Sequence, residues 1–581
     1  MVQDPSAAQD PSAARGEVGE RAASTLAPES DLFEHLDAAG LGEALVQVVR
    51  ASAARPLQSA SAAVQLSADL ARVPLAAAAQ WLGRPIEPPV PLDPKDRRFA
   101  DPAWSTNPFF YGTRLGYAAA CRFARGVVDS AALDPDTARK ASIATELLLD
   151  SLAPTNFLAT NPAALKRAFD TGGVSLARGA RHLVDDVLTN GGRPRQVDTR
   201  SFEIGRNLAA TPAKVVYRND LMELLQYEPQ SEQVRAHPLL CSPPWINKYY
   251  VMDLAPQRSF IEWAVQHGRT VFAISYKNAS AEMAGTTMDD YLVHGPQAAL
   301  DVIAEITGAE AIDIVGLCLG GALTAITDAY LRQSGDQRIG TLTLLNTMLD
   351  YADPGPLKAF TDLRTVERLE RKMRRSGVLD GASMAGTFDV LRANDLIFNY
   401  VVANWLLGEE PPVFDILAWN ADSTRMPAEM HAFYLRNFYV ENKLATGDLQ
   451  IAGRRIDLSA IKAPTYVVSA INDHIVPWQA SYKTTGLVSG PVRFVLSSGG
   501  HIAGIVNPPG PKAWYQVLPT DEALPITASA WSAAAERCSG SWWEDWTRWS
   551  DENSGPLVDP PTLGSDRHPV LGQGPGTYVR T

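Results

Sequence analysis

Two textures of apolar and polar positions divide this chain, and the change falls near residue 200. Before it, apolar residues recur at helical spacing. Leu41, Leu45, Val48 and Val49 share one face, and Leu66, Leu70, Val73 and Leu75 form a looser one. Ile143, Leu147 and Leu148 predict a helix over 137–152, stopped by the turn Pro154-Thr155-Asn156-Phe157. Another helix begins near Pro162 and carries Leu165 and Phe169. A proline-rich break over 85–91 reads as a stiff linker. The pattern therefore predicts a helical N-terminal region over 31–200, with its linker near 85–98.

After Arg200 the apolar residues gather into short β-branched runs. Val215-Val216-Tyr217, 239–243, 271–275, 312–315, 341–345, 466–468 and 492–496 are the strand candidates. Several are almost continuously apolar, as strands buried on both faces of a parallel sheet must be. Helical patterns such as 297–306 and 319–331 fall between them, which is the texture of an α/β domain over 201–581. The series breaks over about 350–445. That stretch holds a charged helix (Arg364, Arg368, Glu370, Arg371, Lys372, Arg374, Arg375) and then aromatic-rich helices around Phe398, Trp405, Tyr434 and Tyr439. An insertion at this place is expected to form a cap over the active-site face. The basic run reads first as a solvated helix face, with contact to acidic phosphates as the weaker alternative.

Composition narrows the class. The 581 residues carry a net charge of −13, which argues against nucleic acid as a main partner. Residues 1–30 are rich in Ala, Ser, Pro and acidic residues and open on a direct repeat, so a disordered tail is expected there. No secretory pattern opens the sequence and no apolar run reaches membrane-spanning length, so the expected setting is cytoplasmic. Four cysteines without C-x-x-C spacing suggest free thiols, with no metal site and no cofactor expected.

One of those cysteines is placed for chemistry. Ile312 to Val315 runs as a strand into Gly316-Leu317-Cys318-Leu319-Gly320, and Leu323, Ile326 and Tyr330 then continue as a helix face. Strand, Gly-x-nucleophile-x-Gly, helix is a nucleophile elbow, with cysteine in the place of the usual serine. A buried structural cysteine in a glycine-rich turn is the competing interpretation. A thiol needs a base, and His501 follows a strand through Gly499-Gly500. Asp473 follows another strand and reads alone as a helix-capping residue; beside Cys318 and His501 it reads as the acid. Cys318, Asp473, His501 is the chain order of α/β-hydrolases. His474 is a competing base adjoining the acid. The candidate oxyanion donors are the backbone of Leu319 and the amides of Trp245 and Ile246 in the loop after an early strand. A helix over Trp542, Trp546 and Trp549 is expected to dock the C-terminal stretch onto the core.

These residues carry a family resemblance. Pro243-Pro244-Trp245-Ile246-Asn247-Lys248-Tyr249-Tyr250, Gly316-Leu317-Cys318-Leu319-Gly320-Gly321, Asp473-His474-Ile475-Val476-Pro477-Trp478 and Gly500-His501-Ile502-Ala503-Gly504 resemble the signature blocks of polyhydroxyalkanoate synthases of the single-subunit, class I-like kind. Thr155-Asn156-Phe157-Leu158, Phe202-Glu203-Ile204-Gly205 and Asn394-Asp395-Leu396-Ile397 are similar to further family blocks, and the likeness spans roughly 99–550. Tyr276-Lys277-Asn278-Ala279 departs from a common Trp-Arg-Asn-Pro, and Met288 stands where Trp is common. The resemblance implies an α/β-hydrolase fold with a helical cap, and polymerisation of (R)-3-hydroxyacyl-CoA through a Cys318-bound thioester. It also implies work at the granule surface with the growing polyester, phasin-type granule proteins as neighbours, and a homodimer. Two other readings of the same features are a thioesterase or polyester depolymerase on this fold, which serine at 318 would have favoured, and a non-catalytic granule-coating protein.

Overall fold

The computed structural model describes residues 38–381, 389–519 and 523–581; the tail expected over 1–30 lies outside them. The described residues cluster into two compact units, one of 38–198 with 389–412 and one of 199–381 with 413–581.

The first unit is helical. Its main elements are α1 (Ala38–Ala53), α2 (Pro56–Trp81), α3 (Pro108–Ser130), α4 (Pro135–Ser151), α5 (Pro162–Asp170) and α6 (Val174–Thr189). Their starts follow from side-chain caps. Asn107 accepts the Phe109 N–H at 2.9 Å before Pro108, Asp134 accepts the N–H groups of Asp136 and Thr137 before Pro135, and Asn161 accepts the Ala164 N–H at 3.0 Å before Pro162. The packing faces follow the hydrophobic pattern only in part, with Leu41 and Val48 buried as expected. Ala76 and Ala77 of α2 meet Tyr111 and Leu115 of α3, and Ala44 and Val48 of α1 meet Val128, Ala131 and Ala141. Val49, Leu70, Leu75, Leu148 and Leu165 are exposed instead, and Phe169 is 87% exposed. Small side chains let helix backbones approach closely, so alanine decides these contacts although it weighs little in a hydrophobic pattern.

Part of the 350–445 segment belongs with these helices. Residues 389–412 pack on α6: Trp405 donates its indole N–H to Asp186 at 2.9 Å, and Asn404 donates to the Arg195 carbonyl at 2.7 Å. A side chain at Gly179 would collide with the Trp405 carbonyl, so glycine makes this approach feasible.

The second unit is built on an 11-stranded sheet. In chain order its strands are β1 (Ala213–Arg218), β2 (Met222–Tyr227), β3 (Leu239–Ser242), β4 (Val271–Tyr276), β5 (Ile312–Leu317), β6 (Ile339–Leu345), β7 (Thr465–Ala470), β8 (Val492–Ser497), β9 (Trp514–Val517), β10 (Glu536–Ser539) and β11 (Gly572–Gln573). They lie in the order β10-β9-β8-β7-β6-β5-β3-β4-β2-β1-β11. From β4 through β8 neighbouring strands run parallel, while β2 pairs antiparallel with β4, and β9 with β8. Every residue of β5 and β7 is buried, which explains why both are mostly apolar. All seven predicted strands are present; β2, β9, β10 and β11 were not predicted.

Three helices of this unit bear on the site: α7 (Leu319–Arg332), α8 (Leu363–Ser376) and α9 (Trp542–Asn553). Helix α8 is the predicted charged helix. Asp362 caps its start, and its buried Glu370 accepts two hydrogen bonds from Arg436, at 3.1 and 2.9 Å. Helix α9 docks through Trp542, Trp543 and Trp546, all buried, whereas the predicted Trp549 stays half-buried. Among the described residues no helix is long and apolar enough to cross a membrane.

Candidate active site

The carboxyl ends of three parallel strands bring the predicted residues together. Cys318 directly follows β5, Asp473 follows β7 by three residues, and His501 follows β8 by four. In an α/β sheet this edge is where ligands bind, because loops there are free to carry chemistry on a rigid frame.

The elbow around Cys318 is strained by its surroundings. Cys318 has φ 52° and ψ −114°, a conformation a side-chain-bearing residue adopts only when its neighbours enforce it. Its N–H donates to the Leu345 carbonyl at 2.8 Å, and Thr347 Oγ1 donates to its carbonyl at 3.1 Å. Glycines make the turn feasible. A Cβ on Gly316 would lie 2.5 Å from Gly321 Cα, and one on Gly320 would collide with the Ser242 carbonyl and stand 2.5 Å from that of Pro243. Strand, helix and the loop after β3 are thus packed backbone against backbone at the thiol.

His501 Nδ1 lies 2.7 Å from Asp473 Oδ2, with the Asp473 carboxylate fully buried and the imidazole nearly so. The other carboxylate oxygen, Oδ1, accepts the N–H groups of Ile475 and Val476, both at 2.9 Å. Asp473 therefore caps the following turn and orients the histidine at once, one oxygen for each. Burial works against a charged His501, but the Asp473 carboxylate and Cys318, both in hydrogen-bonding contact with the ring, raise its pKa well above the ordinary value. With Nδ1 committed to Asp473, Nε2 is the nitrogen left for the thiol. His474 adjoins the acid and stands outside this pair.

The His501 loop is also clamped from behind. Gly499 has φ +107°, the left-handed turn that sends the chain back after β8. Trp542 and Trp543 of α9 donate their indole N–H groups to the carbonyls of Gly504 and Ile505, both at 2.9 Å, and Asn346 donates to the His501 carbonyl. The tryptophan cluster, read from sequence only as a docking stripe, holds the loop that carries the base.

Of the three candidate oxyanion donors, Leu319 directly follows Cys318, and Trp245 and Ile246 follow the end of β3. Leu319 is the first residue of α7, so its N–H has no partner within the helix. Trp245 and Ile246 lie in the loop after β3, whose Ser242 and Pro243 carbonyls press on Gly320. The Trp245 ring is buried between Tyr291 and Tyr434, with centroids 5.8 and 5.7 Å away. Buried Tyr351 and Tyr434 and half-buried Tyr439 form an aromatic group with centroids 5.0–6.2 Å apart. Burial raises the pKa of all three phenols, and the charge of Cys318 adds to each. Tyr434 and Tyr439 came from the aromatic run noticed in the sequence. Tyr351 was missed, because a lone tyrosine after β6 has no periodic signal.

A strained elbow at a sheet's carboxyl edge, with a histidine and an aspartate on neighbouring loops, defines an α/β-hydrolase-fold chain of the nucleophile, acid and base type. The α/β-hydrolase-fold family profile matches residues 238–508, and the profile for the N-terminus of poly-beta-hydroxybutyrate polymerase (PhaC) matches 95–264. Along most of its length the chain is similar to curated proteins. It is 40% identical to the poly(3-hydroxyalkanoate) polymerase of Methylorubrum extorquens, over 90% of this chain and 87% of that one. It is 41% identical to poly(3-hydroxyalkanoate) polymerase 2 of Ectopseudomonas oleovorans, over 92% and 94%. With the polymerase subunit PhaC of Cupriavidus necator it shares 39%, over 84% and 83%. The chain belongs to the poly(3-hydroxyalkanoate) polymerase family.

Proposed function

We propose that the protein polymerises (R)-3-hydroxyacyl-CoA into a polyhydroxyalkanoate, releasing CoA and holding the acyl chain as a thioester on Cys318. The single observation that carries this is a cysteine at the strained elbow, facing a base already oriented by a carboxylate, in a chain of this family. His501 Nε2 takes the thiol proton while Asp473 keeps the ring in place. The thiolate attacks the CoA thioester, and the oxyanion forms against the Leu319 N–H and an amide of Trp245 or Ile246. When the C–S bond to CoA breaks, the leaving thiolate takes the proton back from His501. One thioester has replaced another, with little change in free energy.

The acyl-enzyme then waits for the 3-hydroxyl of another acyl unit. That hydroxyl gives its proton to His501 as its oxygen attacks the Cys318 thioester, forming the ester link and freeing the thiol for the next monomer. Water is the competing nucleophile and would end chain growth, so the aromatic wall of buried Tyr351, Tyr434 and Trp245 with half-buried Tyr439 has a chemical purpose beside packing. The setting that fits this reaction is a cytoplasmic homodimer at the polyester granule surface, with phasin-type proteins beside it.

The test supplies purified protein with (R)-3-hydroxybutyryl-CoA and follows free thiol and product. Insoluble polyester is expected; soluble 3-hydroxybutyrate as the main product would replace the polymerase reading with a thioesterase. Cys318→Ala should lower CoA release by at least about 10³-fold at unchanged melting temperature, and His501→Gln by about 10²–10⁴-fold.

A further inference from the structure

The loop that carries Trp245 and Ile246 is held from two sides by groups remote in sequence. On one side, residues 419–424 grip it: the Asn247 N–H donates to Thr424 Oγ1 at 2.7 Å, the Trp419 indole N–H to the Lys248 carbonyl at 2.8 Å, and the Tyr250 hydroxyl to Asp422 at 2.9 Å. On the other side stand residues 577–581. Lys248 is 4% exposed, and its ammonium donates to the carbonyls of Val579 at 3.0 Å and Thr581 at 2.5 Å. A buried ammonium is costly unless its N–H groups are satisfied, and here backbone carbonyls do this. Burial lowers the Lys248 pKa, and the nearby Asp422 carboxylate opposes that shift.

The carbonyl acceptors are themselves fixed. Glu223, fully buried in β2, accepts the N–H groups of Thr577 and Tyr578 at 2.8 and 2.9 Å and the Thr577 hydroxyl at 2.7 Å, beside its ion pair with Arg218. The Tyr578 hydroxyl donates to the Asn219 carbonyl at 2.7 Å. Asn278 closes the circuit: its amide donates to the Thr581 carbonyl at 3.2 Å, and its oxygen accepts the Arg425 N–H at 2.9 Å. Glu223 and Gln226 are buried polar residues of a strand, an expensive arrangement unless they hold something in place.

We infer that Lys248 is a positioning residue for the loop bearing the proposed oxyanion donors, and that residues 577–581 are the buttress it leans on. This rests on the polymerase reading above. Lys248 touches neither Cys318 nor the acyl group in this role; it sets where the Trp245 and Ile246 amides stand, three and two residues before it. Misplacing such a donor by a fraction of an ångström weakens transition-state binding far more than ground-state binding.

The experiment compares wild type, Lys248→Met, Lys248→Arg and a chain ending at Gly576, all full-length otherwise, with (R)-3-hydroxybutyryl-CoA. Lys248→Met is expected to lower kcat about 10–100-fold with KM within about twofold. Lys248→Arg should recover part of that loss, and the shortened chain should show the same loss, with little added by Lys248→Met on top. The rate of Cys318 alkylation by iodoacetamide should stay at the wild-type value, since the thiol and its base are untouched. A Lys248→Met protein with wild-type kcat overturns the inference, as does a loss taken entirely in KM. So does a Lys248→Met melting temperature below that of the assay, which would assign the lysine to the fold and not to the loop. Wild-type protein that releases no CoA would instead overturn the polymerase reading itself.

Discussion

The two units are stabilised by different means. In the helical unit alanines such as Ala76, Ala77, Ala44 and Ala141 share the contacts with a few large groups such as Leu115 and Trp104, while Leu57 is 85% exposed and Phe169 87%. In the sheet unit the large side chains are inside: Phe272, Phe494, Tyr466 and Trp542, Trp543 and Trp546 of α9 are all fully buried. Apolar residues are found in both, so hydrophobicity alone does not distinguish them. What differs is geometry. A two-faced sheet must cover its strands with large groups, whereas helices in pairs come closest where side chains are smallest.

Glycines give the sharpest way to break that comparison, because each unit has one whose Cβ would strike another backbone. Gly320→Ala would push against the carbonyls of Ser242, the last residue of β3, and of Pro243 just after it, which the paired strand holds in place. A loss of more than about 3 kcal/mol is expected in denaturant titration, together with loss of CoA release. Gly179→Ala strikes only the Trp405 carbonyl in residues 389–412. There the segment can lift, so about 1–3 kcal/mol is expected, with faster amide exchange confined to 389–412 and α6. Equal losses at the two positions would mean that the units are equally rigid.

Charge inside the sheet unit offers a second test. Burial pushes the Asp253 carboxyl up to about 6, against hydrogen bonds from Thr211, Ser259 and Tyr227. A carboxyl whose folded pKa exceeds its unfolded one favours folding at low pH, and that contribution is lost as pH rises through about 6. Asp253→Asn should therefore gain stability relative to wild type between pH 4 and 7, by roughly 2 kcal/mol. A pH-independent difference in melting temperature would show that the charge is not what Asp253 contributes.

The smallest effect is expected on the exposed apolar residues of the helical unit. Phe169→Ser should change stability by no more than about 0.5 kcal/mol, since the ring loses little contact on removal. A drop of several degrees in melting temperature would show that Phe169 is covered in solution.

Much of the site was legible before any coordinates. Gly316-Leu317-Cys318-Leu319-Gly320 needs glycines for a steric reason that sequence expresses directly, and Gly499-Gly500-His501 does the same for its turn. Most of the seven predicted strands were visible because burial on both faces leaves a nearly continuous apolar run, as in β5 and β7. Strand β2 was not, since Met222-Glu223-Leu224-Leu225-Gln226-Tyr227 carries two polar residues whose partners lie more than three hundred positions away. Sequence patterns register local periodicity, and a buried glutamate satisfied by Thr577 and Tyr578 has none.

By itself, the sequence determined the elbow, the chain order of thiol, acid and base, and the alternation that makes a parallel sheet. Each depends on residues close together or on a repeated burial pattern. The tertiary structure alone decided that Asp473 serves turn and histidine together, that α9 clamps the His501 loop, and that Lys248 meets residues 579–581. It also decided that 389–412 packs with α6. These are contacts between distant stretches, fixed by which backbone groups need partners once the sheet and helices have formed, and no local spacing encodes them.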